Sequence, residues 1–261
     1  DPEQRETEIK NISSVYKTLA DEILPQLRRA RLTANYDVIG RSDEEINEAF
    51  DTDAKVLSAN ELLYAATLTN DKARQEAIYK KTTELYPNDF RAYNNLGMMA
   101  YANGDFTTAE NYFKQAASKD ANAPEVNTNL GYIELVKGNV ANAETYLSKS
   151  TGANTANEAL GNLYIKQGQY DRAVQAFGDT KTNSAALAQI LAKDYNKAKN
   201  TLNAVKNPDA YTDYLMAIVG ARTNNADLVK TSMAKVAQKD ATLAAKAQID
   251  REFAKYANEI K

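Results

Sequence analysis

The chain has 261 residues, of which 43% are hydrophobic and 26% charged, with a formal net charge of −3. That balance belongs to a folded globular protein and not to a disordered one, and the slight acidic excess argues against a general nucleic-acid binder, which needs a basic face to displace counterions. There is no His and no Cys, which removes thiolate nucleophiles, Cys/His zinc sites, imidazole acid–base chemistry and any Ser-His-Asp triad.

No constellation of carboxylates, Lys or Tyr takes the place of those groups, so the expectation is a protein that is not an enzyme, with no cofactor and no metal. No apolar run approaches the roughly 18–20 residues of a membrane span. The chain begins Asp1-Pro2 without an initiator Met, as expected of a processed chain or a piece of a longer one.

Residues 1–52 form an N-terminal segment of mixed character. Ile9, Ile12, Tyr16, Leu19 and Ile23 fall on one helical stripe, and Pro25 should end or kink that helix. The run Arg28–Arg31 is the one basic knot. Asp21, Glu22 and Asp37 lie close in sequence, so pairing with them is a plainer reading than capture of an acidic polymer. Leu32, Ala34, Tyr36 and Val38 alternate with more polar neighbours up to Gly40, the period of a strand.

A lone strand needs a partner, so this stretch pairs with a strand upstream, or is an extended arm, or belongs to a helical cap. Ser42 with Glu45 makes a capping box for a short helix to about Phe50. The acids from Asp43 to Asp53 do not form a calcium loop. Counted from Asp51, Val56 and Leu62 occupy the places where Gly and Glu are required. A solvated helix start, favoured by the helix dipole, accounts for them.

From residue 53 to 261 the chain repeats itself. Leu-Gly recurs at Leu96-Gly97, Leu130-Gly131 and Leu160-Gly161. Twelve residues after each Gly stands an Ala (Ala109, Ala143, Ala173), and four further on a large apolar residue (Phe113, Leu147, Phe177). Between them lies a turn with Gly104, Gly138 or Gly168. The pattern is that of a helix hairpin: apolar stripes at 3–4 spacing, small residues where two helices approach, and a Gly that ends the first helix. One hairpin cannot bury its stripe alone, so copies must stack.

The spacing then contracts: Ala109 to Ala143 is 34 residues, Ala143 to Ala173 is 30, Ala173 to Ala198 is 25. Gly178 should end one second helix early, which predicts a change in superhelical curvature. A fourth copy keeps Ala186, Asp194-Tyr195, Ala198 and Leu202. A degenerate fifth turns at Asn224-Asn225. Leu243, Ala247, Phe253 and Tyr256 read as one closing helix with a polar outer face.

These residues resemble the tetratricopeptide repeat, most closely over 90–177, where Tyr93, Leu96-Gly97, Ala109, Phe113 and Ala116 fit its pattern. The fit is looser over 56–89, through Leu62, Leu63, Tyr79 and Pro87. The resemblance implies an all-α fold, an α-solenoid of about five stacked hairpins. It also implies a non-enzymatic interaction scaffold, with a protein or peptide in a concave groove lined by the first helices. The groove positions it implies are Arg91, Asn94, Asn95, Met98 and Tyr101; then Thr128, Asn129, Tyr132 and Leu135; then Glu158, Asn162, Ile165 and Lys166.

Asn95, Asn129 and Asn162 are the candidates to grip a peptide backbone, since an amide both donates and accepts; framework support is the competing role for each. Asn94 and Thr128 stand where a carboxylate clamp would put Lys or its neighbour, so such a clamp is not expected.

The stretch "EILPQLRRARLTANYDVIGRSDEEI" resembles the tail of an OmpA-like peptidoglycan-binding domain, as found ahead of such repeats in envelope proteins of the Bacteroides group. That resemblance implies a periplasmic or outer-membrane-associated place in the cell envelope, with cell-wall association through an upstream domain. It also implies an alternative role for the repeats as an architectural spacer or self-assembly module.

Overall fold

The computed structural model describes residues 1–11, 13–23, 40–258 and 260. The chain divides into two compact units, Asp1–Ser42 and Asp43–Lys261. In the first unit the described helices are Pro2–Asn11 and Ser13–Thr18, followed by one π-helical turn, Leu19–Ile23. Pro25, Arg28–Arg31 and the strand expected over Leu32–Val38 lie outside the described residues.

The second unit opens with the acidic helix Asp43–Asp53. Its Ile46 is buried with Leu57, Leu62, Ala65 and Ile78, and Ala49 and Phe50 pack beside them. This helix, grouped by its sequence with residues 1–52, therefore helps close the solenoid's first end.

Six hairpins follow among the described residues. Hairpin 1 is Ala59–Ala65 with Lys72–Leu85, hairpin 2 Phe90–Ala102 with Phe106–Lys119, and hairpin 3 Pro124–Lys137 with Val140–Leu147. Hairpin 4 is Ala156–Lys166 with Tyr170–Phe177, hairpin 5 Asn183–Leu191 with Tyr195–Asn203, and hairpin 6 Ala210–Arg222 with Ala226–Lys239. The count exceeds the expected five because the loosely matching stretch 56–89 also folds as a complete hairpin, ahead of the copies that begin at residue 90. The first contraction has its cause in the second helices, which run 14 residues in hairpin 2 but 8 in hairpins 3 and 4. The second comes from a shorter connection, Phe177 to Asn183 against Leu147 to Ala156, and a first helix of 9 residues in hairpin 5 against 11 in hairpin 4. Gly178, at φ 54°, ends the second helix of hairpin 4.

Short polar residues start most of these helices. Asp71, Asp89, Asp105, Asp194 and Asp240 each accept a backbone N–H of the first turn, and Ser58–Glu61 and Asp209–Thr212 form full capping boxes. Each cap contributes about 1 kcal/mol. The turn inside a hairpin is one repeated device. A residue with positive φ ends the first helix, and the next amide donates to a carbonyl five residues back, at 2.8–3.0 Å in hairpins 2 to 6. The positive-φ residue is Gly104, Gly138 and Gly168 in hairpins 2 to 4, then Lys193 (φ 66°) and Asn224 (φ 55°). These are Schellman-type ends, where Gly avoids a Cβ clash that Lys does not.

The Leu-Gly glycines mark the closest approach between paired helices. A Cβ on Gly97 would stand 2.5 Å from Phe113, one on Gly131 2.5 Å from Leu147, and one on Gly161 2.6 Å from Phe177. In hairpin 5 Ala186 occupies this place and packs in one cluster with Ala198 and Leu202. The core is accordingly a string of clusters. One joins Ala109, Phe113 and Ala116 of hairpin 2 to Val126, Leu130 and Ile133 of hairpin 3. Another joins Ile190 and Leu202 of hairpin 5 to Leu215 and Val219 of hairpin 6.

The C-terminal end differs from the single helix expected. Helix Ala241–Ala247 stops, and a 3₁₀ segment Arg251–Tyr256 follows. Asp250 causes the break: it caps the second segment through the Glu252 N–H and also accepts the Tyr214 hydroxyl of hairpin 6. Ala247, Phe253 and Tyr256 still reach the core beside Val229 and Met233, while Ile249 at the break is 85% exposed.

Candidate partner-binding face

The face built by the first helices of hairpins 2 to 4 carries the sequence-derived candidates. Equal offsets from Gly97, Gly131 and Gly161 bring Met98, Tyr132 and Asn162 to one position on successive helices. The same count brings Ala102, Val136 and Lys166 to the next position one turn on.

Several candidates hold the hairpins together. Arg91 donates through Nη1 to Asn60 Oδ1 of hairpin 1 at 2.9 Å and through Nε to its own helix cap, Asp89, at 2.9 Å. The Arg91 hydrogen bond holds the Asp89 carboxyl below its usual range. Asn94 and Asn129 are 9% and 8% exposed, and Asn129 Nδ2 donates to Asn94 Oδ1 at 2.8 Å. That bond between hairpins 2 and 3 gives one amide's N–H and the other's carbonyl a partner where burial would otherwise penalise them. Asn95 lies beside the Tyr79 hydroxyl of hairpin 1, where burial raises that phenol's pKa and the amide partly offsets it. Asn162 Nδ2 donates to the Glu158 carbonyl at 3.1 Å. The Asn162 amide also contacts the Tyr132 hydroxyl, whose pKa is raised chiefly by burial and secondly by Glu158.

The remaining candidates divide. Thr128 and Leu135 are buried, Thr128 donating to the Pro124 carbonyl of its own helix and Leu135 packing in the core with Ala143 and Leu163. Neither is open to a partner, and Glu158 and Ile165 are half-buried. Met98 is 46% exposed and Lys166 is exposed, and Val136 beside them is 47% exposed. Tyr101 meets Phe106 edge-on at 5.2 Å between ring centres and lies 6.4 Å from Tyr132. Met98, Tyr101, Tyr132 and Thr155 surround a hollow of about 110 Å³ floored by Phe113, with Asn129 at its side. This is room for one side chain of Leu or Met size. Phe106 and Val136 extend the apolar surface beside it and were not singled out from sequence. The signal for Val136 was its place four residues after Tyr132. Chemically the face offers an apolar socket rimmed by amides. Among the described residues no group of three or more Asp or Glu is arranged to hold a metal, and no helix is long and apolar enough to cross a membrane.

Three tetratricopeptide repeat models match the chain, over residues 95–158, 78–111 and 158–181, so the stretch from 78 to 181 consists of such repeats. No curated protein matches. Among solved structures, a chain of the APC/C hetero-tetramer Cut9-Hcn1 superposes with a TM-score of 0.66 at 15% identity, covering 82% of this chain and 44% of that one. This chain thus spans less than half the length of that relative. A tetratricopeptide repeat protein from Parabacteroides merdae ATCC 43184 gives 0.56 at 12% identity, covering 84% and 90%. PilW, a type IV pilus biogenesis factor, gives 0.53 at 18% identity, covering 76% and 97%. At these identities the likeness is one of fold.

Proposed function

We propose that the protein is a non-catalytic interaction scaffold in the bacterial cell envelope. It takes a protein or peptide partner on the first-helix face of hairpins 2 to 4. The observation that carries this reading is the socket of Met98, Tyr101 and Tyr132. It leaves a large apolar side chain exposed beside satisfied amides, which is the composition of a recognition surface and not of a solvated helix face. The division of labour follows from the hydrogen bonds. Asn94 and Asn129 fix the helix spacing, the aromatic socket takes an anchor side chain, and Asn162 and Lys166 at its far edge meet the partner's backbone or a carboxylate. The neighbour drawn from the APC/C hetero-tetramer is itself part of a protein assembly, which accords with this use of the fold.

The test is site-specific photocrosslinking in the source cells. A benzoylphenylalanine at Met98 should give a discrete adduct that Tyr132→Ala removes, and the same probe at exposed Lys149, in the turn after hairpin 3's second helix, should give none. Equal adducts from both positions, or none from Met98, would remove the first-helix face as the binding surface.

A further inference from the structure

A second surface of different chemistry lies between hairpins 5 and 6. The second helix of hairpin 5 stops at Asn203, after 9 residues, whereas that of hairpin 6 runs 14 residues to Lys239. The overhang leaves a cleft of about 460 Å³, crossed at one end by Pro208. Its floor is apolar, with Leu202, Met216 and Leu228, and its walls carry Lys199, Lys235 and Lys239. Lys239 is committed to the framework: its Nζ donates to Asp213 Oδ2 at 2.7 Å and to the Pro208 carbonyl at 3.1 Å. Lys199 and Lys235 are exposed and have no acidic partner among the described residues.

The charge of the surroundings has the same sign. Residues 181–239 hold nine basic side chains against four acidic ones, whereas residues 43–177 hold twelve basic against nineteen acidic. A chain of net negative charge thus concentrates its positive charge in the two hairpins that frame this cleft. Two unpaired ammonium groups over an apolar floor complement a segment that alternates carboxylates with aliphatic side chains.

We infer that the cleft between hairpins 5 and 6 docks an acidic, aliphatic peptide segment of a partner protein. Lys199 and Lys235 meet its carboxylates, and Leu202, Met216 and Leu228 receive its apolar side chains. This surface is separate from the Met98–Tyr132 socket, and it stands or falls independently of the role proposed for that socket.

The probe is a fluorescein-labelled decapeptide of alternating Glu and Leu, titrated by anisotropy against the full chain. Binding should weaken severalfold when ionic strength rises from about 0.05 to about 0.3 M, since exposed charges are screened. Lys199→Glu/Lys235→Glu should weaken it by roughly tenfold or more, as one unfavourable charge contact costs on the order of 1.4 kcal/mol. Lys181→Glu/Lys246→Glu changes the net charge equally but lies outside the cleft, and should leave binding within about twofold. Circular dichroism verifies that both variants fold. The inference is overturned if the parent does not bind the probe, or if both double variants lose it alike. It is also overturned if inorganic phosphate at the probe's concentration displaces it, marking a small-anion site. Salt-sensitive self-association that excludes the probe would instead give the cleft to the acidic end of a second copy, and overturns it too.

Discussion

Hairpin 3 brings its helices together with Gly131 against Leu147 and turns at Gly138, while hairpin 5 uses Ala186 with Leu202 and turns at Lys193. The backbone result is the same: the amide after the turn donates five residues back at 2.8 Å in both hairpins. What differs is how far each sequence has relaxed into that geometry. In hairpin 3 both the helix contact and the turn hold Gly, the residue that each place favours. In hairpin 5 a full side chain sits in the left-handed region, and a methyl group occupies the place where hairpin 3 has no room for one. The repeat is therefore a set of geometric demands that more than one residue can meet, at different cost.

The largest effect that would break the comparison is at the helix contact. In Gly131→Ala the new Cβ meets two carbons of buried Leu147 at 2.5 and 2.6 Å, and a branched side chain there cannot withdraw. Overpacking of this kind costs about 1–3 kcal/mol, which outweighs the ~1 kcal/mol that Ala adds in helix propensity. The urea midpoint should fall. Ala186→Gly, the reverse change at the equivalent place, should also lower it, by about 1 kcal/mol through chain entropy. If Gly131→Ala raises the midpoint, the close contact is not a constraint.

A smaller effect sharpens the comparison at the turn. Lys193→Gly relieves a left-handed conformation worth about 1–2 kcal/mol and returns part of it as chain entropy. The expected gain in thermal unfolding is about 0.5–1 kcal/mol. Asn224→Gly should give less, because Asn tolerates this region better than Lys.

The smallest effect concerns the caps that begin hairpins 2 and 6. Asp89 is held below the ordinary carboxylate range by the Arg91 guanidinium. For Asp209, burial works upward, and hydrogen bonds from Thr212 and Asn183 more than offset it. A depressed carboxyl stabilises the fold fully above its unfolded pKa of about 4, and loses that contribution as pH falls through its folded value. Asp89→Asn keeps an N-cap of similar quality and removes the charge. It should flatten the acid side of the Tm–pH curve by less than ~1 kcal/mol, and less again in salt, since the Arg91 side chain is 44% exposed. An unchanged slope below pH ~4 would show that the guanidinium contact carries no net stability.

These contrasts also show why parts of the molecule were legible before the structure. The Gly97–Phe113 pairing and the turn glycines are local spacings, and a helix hairpin fixes them within about twenty residues. The unit at 210–239 carries no Leu-Gly: seven residues before its turn at Asn224 stands Ala217, packed with Val229 and Met233, while its glycine, Gly220, falls three residues later and faces the Val229 backbone at 3.0 Å. The break at Gln248 depends on Tyr214, 36 residues away from Asp250, and no local pattern announces it. The same limit applied to the candidate face. Asn94 and Asn95 are adjacent and chemically identical, yet one is buried against Asn129 and the other reaches back to Tyr79. The lysine cleft depends on the overhang, which required both helix ends to be placed.

The string of clusters that makes up the core has a consequence for how the molecule unfolds. The inner clusters join hairpins 2 to 3, 3 to 4, 4 to 5 and 5 to 6, and the outer ones tie hairpin 1 to the acidic helix and hairpin 6 to the C-terminal segments. From hairpin 2 onward stability is therefore handed along the chain link by link, as in a one-dimensional Ising lattice. Opening should begin at the ends and advance inward, with amide exchange slowest where a cluster has occupied neighbours on both sides. A ligand that grips hairpins 2 to 4 would then slow exchange there and in the adjoining links, with an influence that fades over the length of about one repeat.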